Sequence, residues 1–537
     1  MNYKVCILAA GINRKIGPVA DKINAAILPV DSKGTISHII EKFHESVEII
    51  IAIGHQKESL RDYVKIAHPG RKFTFVEIEQ FIGPGTGPGH TLLQCKNYLQ
   101  TPFILSTADT IVLEEVPTPD KNWFGIAPVK KTEDYCTVKI KNNFVVQLDD
   151  KVKTDNKLAF IGLAGIYNYQ EFFQELERNK ELKQGELQVS NGFRKLIEKK
   201  LVPIGFTWFD TGSKETYTET NKNFSGGNKN FDFSKFDEFL YFVNDRVIKF
   251  FVNPETTEQR CLRADHLKGI CPEIVDKKGG FYAYKHVEGQ VLYNVLNSQV
   301  ASDFFEWCKL NLWKKKELSH EEQDTFKQAC RIFYYDKTIK RLNLFYEKTG
   351  IDDTESSING VTVPPLKELL GGINWEGLFK GIPSNFHGDL QFDNIIVSHN
   401  MGTNLPKFTL IDWRHNFGGS TEVGDVYYDL AKMYGGMTIS YQGIKKGNFS
   451  FDMSGSSSYY NFSIENSLVE AREEYEEFLK RNKYDFGKIK ILRSLIFLNM
   501  SPLHHSPFDK MLYFKGKLLL HRALKEQQKK GEVNICI

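Results

Sequence analysis

His387-Gly388-Asp389-Leu390-Gln391-Phe392-Asp393-Asn394, followed by the apolar run Ile395-Ile396-Val397 and then by Leu410-Ile411-Asp412-Trp413, is the stretch that decides how this chain folds. A tight loop after His387 presents Asp389, Asn394 opens a β-strand, and a hairpin returns Asp412 beside it. Such spacing suits phosphoryl transfer. Asp389 is placed to orient an attacking hydroxyl and accept its proton, and Asn394 and Asp412 offer oxygen ligands to Mg²⁺. Any one of these residues could be a turn residue or a cap; the ordered set points to chemistry.

These residues resemble the catalytic and metal-binding loops of the aminoglycoside phosphotransferase and choline kinase superfamily, whose pattern is H-G-D-x-x-x-x-N followed by I-D-W. The resemblance implies a bilobal protein-kinase-like (α+β) fold that uses ATP and Mg²⁺. It extends upstream to Lys249, in the strand-like Val247-Ile248-Lys249-Phe250-Phe251, as the lysine that meets the α- and β-phosphates, with Glu258 on the next helix as its ion-pair partner. Phe281 to Gly289 resembles the interlobe hinge, with Tyr282 and Tyr284 beside the nucleobase and Gly289 starting the helical lobe. Gly424-Asp425-Val426-Tyr427-Tyr428-Asp429-Leu430-Ala431 resembles a structural motif whose carboxylates brace the catalytic loop. No G-x-G-x-x-G precedes Lys249; Gly226-Gly227 is the glycine pair at a plausible distance.

The first part of the chain reads differently. Lys4 to Ala9 is a short apolar strand running into Gly11-Ile12-Asn13-Arg14-Lys15-Ile16-Gly17, where glycine lets backbone N–H groups approach an anion and Arg14 and Lys15 add charge. Glu48 to Ile53 is a second apolar strand and Lys57 to Ile66 an amphipathic helix, a βαβ rhythm. Phe103 to Asp109 is a strand ending in a carboxylate, at the sheet end where open α/β folds bind ligands.

Leu8-Ala9-Ala10-Gly11 with Arg14 and Leu28-Pro29-Val30, the run Gly83-Pro84-Gly85-Thr86-Gly87-Pro88-Gly89, and Trp208-Phe209-Asp210-Thr211-Gly212-Ser213 together resemble the sugar-phosphate nucleotidyltransferases. That resemblance implies a Rossmann-like α/β domain in which Leu8, Ala10, Gly11, Gly85 and Gly87 contact the nucleotide, Asp109 and Asp210 share one Mg²⁺, and Arg14 and Lys22 serve catalysis. One position departs. Ala25 stands where the family's run carries a lysine, so Lys22 or Lys15 substitutes for it, or this domain is weakened.

The 537 residues exceed what one core holds, about 250 to 300 residues. The Asn-, Lys-, Ser- and Gly-rich stretch 221–230 punctuates the chain. The expected organisation is therefore α/β: a nucleotidyltransferase domain at 1–224, a kinase N-lobe at 225–290, and a kinase C-lobe with a helical extension at 291–537. With 70 basic and 67 acidic residues the net charge is only +3, so no global field argues for nucleic acid and the partners are small molecules. The eight cysteines show no metal-ligand or disulfide spacing. No apolar run of about 18 residues and no signal-peptide pattern occurs, so a cytoplasmic protein without membrane insertion is expected, and a homo-oligomer is compatible.

Taken together, the two resemblances imply consecutive steps toward a nucleotide-activated building block for capsule or other surface polysaccharide. A kinase phosphorylates a sugar or polyol, and a nucleotidyltransferase couples that phosphate to a nucleotide of undetermined base, releasing pyrophosphate. The alternatives are a choline- or ethanolamine-type kinase joined to a cytidylyltransferase, and an N-terminal domain that only binds nucleotide.

Overall fold

The computed structural model describes residues 2–224, 237–399 and 406–535. Gly226-Gly227, the 225 boundary and the hairpin turn at 400–405 lie outside the described residues. The described residues form two compact units that do not follow chain order: 2–224, 237–254 and 275–284 make one, and 255–274, 285–399 and 406–535 the other.

The first unit is built on a nine-stranded mixed sheet. Strands Phe103–Thr107, Lys4–Ala9, Ile49–Ile53 and Phe73–Glu77 lie side by side and parallel. They are apolar because helices and loops cover both faces, as parallel sheets require. Leu158–Ile166 runs antiparallel against Phe103–Thr107 and continues the sheet through Cys136–Lys141 and Phe144–Asp150. From Lys4–Ala9 the chain moves to Ile49–Ile53 and Phe73–Glu77 on one side, then crosses back to Phe103–Thr107 on the other. The strand order therefore reverses between Lys4–Ala9 and Phe103–Thr107. Loops leaving the carboxyl ends of two such strands part in opposite directions and open a crevice; here those loops carry Gly11 and Asp109.

A separate four-stranded sheet, in the order Glu238–Val243, Arg246–Phe251, Phe281–Lys285, Ile274–Lys278, packs largely within this unit against helix Lys57–Ala67. Tyr63 meets Tyr241 with ring centroids 4.8 Å apart and Phe281 at 6.0 Å, and the Phe242 N–H donates to the Ser32 carbonyl at 2.7 Å. The tight turn between the first two strands has Asn244 in the left-handed region, φ 55°, which asparagine tolerates.

The second unit is mainly helical. Its long helical segment joins His320–Arg331 to Lys337–Thr349 through a π-helical turn, Ile332–Asp336. Helix Phe486–Met500 is largely enclosed, with Ile489, Ile491, Leu492, Leu495 and Leu498 buried along with Lys488 and Arg493. A small sheet of Gln290–Val291, Ile395–His399 and Pro406–Leu410 supports the His387 loop. Gly289, read above as starting the helical lobe, lies in the second unit. It precedes the short strand Gln290–Val291, and the first helical residue is Leu292. With φ 140° and the Val397 carbonyl only 2.5 Å from where a Cβ would sit, the position admits glycine alone.

Seven cysteines among the described residues are free thiols. Among the described residues no helix is long and apolar enough to cross a membrane.

Candidate active sites

In the first unit, Asp109 and Asp210 come together through strand pairing. Trp208–Asp210 runs antiparallel to Thr110–Val112, with Asp210 opposite Thr110, and the Thr211 N–H donates to the Asp109 carbonyl at 3.0 Å. Residues a hundred positions apart thus become neighbours. Both carboxylates converge on Gly212: a Cβ there would lie 2.9 Å from Asp210 Oδ1 and 3.0 Å from Asp109 Oδ2. The Gly212 N–H donates to Asp210 Oδ1 at 2.7 Å and the Tyr135 hydroxyl to Oδ2 at 3.0 Å. Asp210 does not cap the helix that comes next; Ser213 does, its Oγ accepting from the Thr216 N–H at 3.1 Å.

Burial, reinforced by the charge of Asp109, pushes the Asp210 carboxyl up to about 6. Two carboxylates forced together in a half-enclosed site fit a divalent cation that keeps water or triphosphate oxygens in its remaining positions. Among the described residues no group of three or more His, Cys, Asp or Glu could hold a metal, so the pair alone is the candidate ligand set here. Because the Asp210 carboxyl is raised rather than lowered, the proton returns as pH falls through about 6, not 4. Mn²⁺ affinity, measured by paramagnetic titration, is expected to drop about tenfold per pH unit below that point. Affinity that stays flat to pH 5 would remove Asp210 from the metal site.

The pair lies in a cavity of about 620 Å³ whose lining includes Lys15, Lys131, Tyr135, Lys151, Trp208 and Ser213. Lys15 reaches this cavity, whereas Arg14 and Lys22 are exposed and do not line it. Leu8 and Ala10 are buried at the end of the first strand, and Gly11 comes next with open space where a Cβ would be. Gly85 and Gly87 have φ of 82° and 114°, and helix Pro88–Gln94 begins immediately after them. Ala25 is half-buried against the core in the short helix Ala25–Ile27. The neighbouring Asn24 ties that turn down, donating to the Ala9 and His55 carbonyls at 3.0 and 2.7 Å. Lys249 is buried in Arg246–Phe251, and Tyr282 and Tyr284 are buried in Phe281–Lys285 with their rings 6.4 Å apart.

The second unit holds the other set. Glu258 lies on its helix Pro254–His266. Asp429, fully buried on helix Val426–Gly436, accepts the backbone N–H groups of His387 and Gly388, each at 2.7 Å, and so fixes the loop. Burial raises its carboxyl to about 6. Asp425 steadies the preceding segment, accepting from the Ile382 N–H at 2.9 Å and the Tyr334 hydroxyl at 2.8 Å. Asp429→Ala leaves two buried N–H donors without acceptors. It is expected to cost on the order of 3 kcal/mol in stability, read as a lower urea midpoint.

His387 is fully buried, which drops its imidazole to about 4 and keeps it neutral. Its Nε2 donates to the Ile411 carbonyl at 2.9 Å and its Nδ1 accepts the Asp389 N–H at 3.3 Å, so it ties the loop to the returning strand. Strand Ile395–His399 pairs with Pro406–Leu410, and the Ile411 N–H donates to the Asn394 carbonyl at 2.9 Å, which brings Asp412 back toward Asn394. The Asn394 amide N–H donates to the Asp389 carbonyl at 2.9 Å, leaving its side-chain oxygen as the atom suited to a cation. Asp412 has φ 59°, a strained setting for a non-glycine residue.

Two partners were not visible in the sequence. Lys432 pairs with Asp389 at 2.9 Å, and Arg260 with Asp412 at 2.8 Å. Burial works to raise the Asp389 carboxyl, but Lys432 outweighs it and holds the group below the ordinary carboxylate value. Helical spacing was the available signal for Lys432: it lies three residues beyond Asp429 on the same helix, so both face the loop. Tyr135 and Arg260 had none, since only folding brings them to their carboxylates.

No protein-family model matches the chain. Its N-terminal part is similar to the bifunctional protein GlmU of Methanococcus maripaludis, 28% identical over 226 residues, which cover 41% of this chain and 53% of that protein. GlmU of Methanocaldococcus jannaschii is likewise 28% identical over 224 residues, 40% of this chain and 53% of its own. The chain spans about half the length of the curated relatives it matches. Similar solved structures include a UDP-glucose pyrophosphorylase complexed with UDP-glucose (21% identity, TM-score 0.37, covering 42% of this chain and 99% of that one). Another is the CTP:phosphocholine cytidylyltransferase of Streptococcus pneumoniae (16% identity, TM-score 0.36, covering 42% and 99%). The similarity in sequence thus falls on the N-terminal, nucleotidyltransferase-like two-fifths of the chain, where the Rossmann-like sheet lies.

Proposed function

We propose that the protein is a bifunctional enzyme. Its His387–Asp412 site moves the γ-phosphoryl of ATP to a hydroxyl of a small metabolite. Its Asp109/Asp210 site couples the resulting phosphate to the nucleotidyl group of a nucleoside triphosphate, releasing pyrophosphate and yielding a nucleotide-activated building block for capsule or other surface polysaccharide. The domain boundaries that go with this reading are 1–224, 225–290 and 291–537.

The observation that carries the second reaction is the convergence of Asp109 and Asp210 at the strand-order reversal, in a cavity that Lys15 also lines. Similarity to GlmU over the same region supports it. A cation held there would neutralise charge as pyrophosphate leaves. Tyr135 and the Gly212 N–H orient Asp210, and Lys15 supplies positive charge to a bound triphosphate in the place the Ala25 departure leaves open. For the first reaction, Asp389 accepts the acceptor's proton, kept ionised by Lys432, while Asp429 and His387 hold the loop. Asn394 and Asp412 are the residues that would hold Mg²⁺ beside the triphosphate.

A two-stage assay tests the reading. The full chain is given γ-labelled ATP with a panel of sugars, polyols and amino alcohols, and label transfer is read; each phosphorylated product is then offered with each of the four common triphosphates, and pyrophosphate is read. Label transfer and then pyrophosphate release are expected. Hydrolysis of ATP alone, with no labelled product, would overturn the kinase half; no pyrophosphate from any pair would overturn the other half.

A further inference from the structure

The surroundings of Asp389 are crowded with cations. Lys432 pairs with its carboxylate at 2.9 Å. Arg414 packs directly on the same loop, its Cβ only 2.6 Å from where a Cβ on Gly388 would be, and its guanidinium lies over the Phe333 ring at 4.9 Å. Lys337 lies over that same ring at 3.9 Å and over Tyr428 at 5.8 Å, and Tyr428 precedes Lys432 by one helical turn. Arg341 lies four residues beyond Lys337 and shares its helix face. Among the described residues, no carboxylate forms an ion pair with Lys337 or Arg414.

Where these residues sit in the helix also matters. Phe333 belongs to the π-helical turn Ile332–Asp336, and Lys337 is the first residue after it. A π-turn inserts one residue into the helical ladder and re-aims the side chains beyond it, and such turns are frequent at functional sites. Here it faces Lys337 and Phe333 toward Tyr428 and Arg414.

Resting on the phosphotransferase reading above, we propose that the acceptor at the Asp389 site is an anion: a small hydroxylated molecule that already carries a carboxylate or a phosphate, held by Lys337, Arg341 and Arg414 with its hydroxyl toward Asp389. Neutral polyols lack the charge to offset Lys337 and Arg414, with which no described carboxylate forms an ion pair. Quaternary and primary ammonium acceptors are disfavoured twice, by like charge and because the faces of Phe333 and Tyr428 that could cage them are already covered by the protein's own cations. Burial and then Arg414, Arg341 and Lys432 hold the Lys337 ammonium well below the ordinary lysine value, with Asp389 opposing; an arriving oxyanion relieves that crowding.

The competing assignment is that the same cations grip the donor's phosphates, and the test separates the two. The full chain is assayed with ATP and glycerate or gluconate (carboxylates), glycerol phosphate or glucose 6-phosphate (phosphates), glycerol or glucose (neutral), and choline or ethanolamine (cations). Binding of each acceptor is measured in parallel by calorimetry. Anionic acceptors are expected to exceed neutral and cationic ones at least tenfold in kcat/KM, with the better of the carboxylate and phosphate arms naming the group. Lys337→Gln and, separately, Arg341→Gln should raise the KM for the anionic acceptor at least tenfold while leaving the KM for ATP within about twofold. A raised KM for ATP with an unchanged acceptor KM, or preference for choline or a neutral polyol, would overturn the proposal. Anion binding that both variants weaken, without transfer to any acceptor, would overturn the kinase reading and keep the anion site; neither binding nor transfer would overturn both.

Discussion

Replacing Asp389 with Asn is expected to lower transfer of the ATP γ-phosphoryl group to the acceptor by a factor of about 10² to 10⁴, the usual weight of a positioned proton acceptor. The substitution keeps the side chain's shape and removes its charge, so the loop held by Asp429, His387 and Asn394 should persist. On the proposed reading the loss should fall on kcat, since a general base acts on a proton that moves only in the transition state. Lys432 loses its counter-ion in this variant and becomes a buried cation without a partner, so a modest fall in the unfolding midpoint should accompany the change. Lys432→Met makes the complementary case: with the ammonium gone, burial and the charge of Asp412 raise the Asp389 carboxyl against Arg414, and the acid limb of the pH–rate profile should move upward. Asp389→Asn should leave pyrophosphate release intact when the phosphorylated acceptor is supplied. Simultaneous loss of both activities would contradict two separate sites.

Asp210→Asn should abolish the second reaction and spare the first. It takes from the Asp109/Asp210 pair the charge that a divalent cation requires, while the amide oxygen can still accept from the Gly212 N–H and the amide N–H can donate to the Tyr135 hydroxyl oxygen. A loss of about 10² to 10³ or more in nucleotidyl transfer is expected, comparable to removing one preorganised electrostatic contact, with Mn²⁺ affinity falling alongside. Asp109→Asn should do the same, because the two carboxylates converge on one point beside Gly212. Full activity in either variant would mean that the cation, if one is used, is held elsewhere. Tyr135→Phe offers a graded control: it removes one hydrogen bond to Asp210 and leaves both carboxylates, so a smaller loss is expected.

How much of this was legible in the sequence differs between the sites. The strands Lys4–Ala9 and Phe103–Thr107 and the helix Lys57–Ala67 announce themselves because buried parallel strands are short apolar runs and a surface helix is apolar every three to four residues. Asp109 could be singled out because it ends such a run, and Asp210 through the resemblance carried by Trp208 to Ser213. Asn394 and Asp412 could be paired in advance because a hairpin lies between them and its register is local. The association of the four-stranded sheet of residues 238–285 with the first unit could not be read this way. It depends on Tyr63 and Phe281 meeting side chains far away in the chain, and local periodicity carries no such information.

By itself, then, the sequence determined the elements and the residues able to do chemistry, since both arise from local spacing, side-chain type and resemblance. Only the tertiary structure decided what surrounds those residues. Tyr135 on Asp210, Lys432 on Asp389, Arg260 on Asp412 and the gathering of Lys337 and Arg414 on Phe333 all join residues remote in sequence. The charge state of a carboxylate, and the sign of charge its substrate must carry, are set by such neighbours through burial and Coulomb interaction, which act through space and not along the chain.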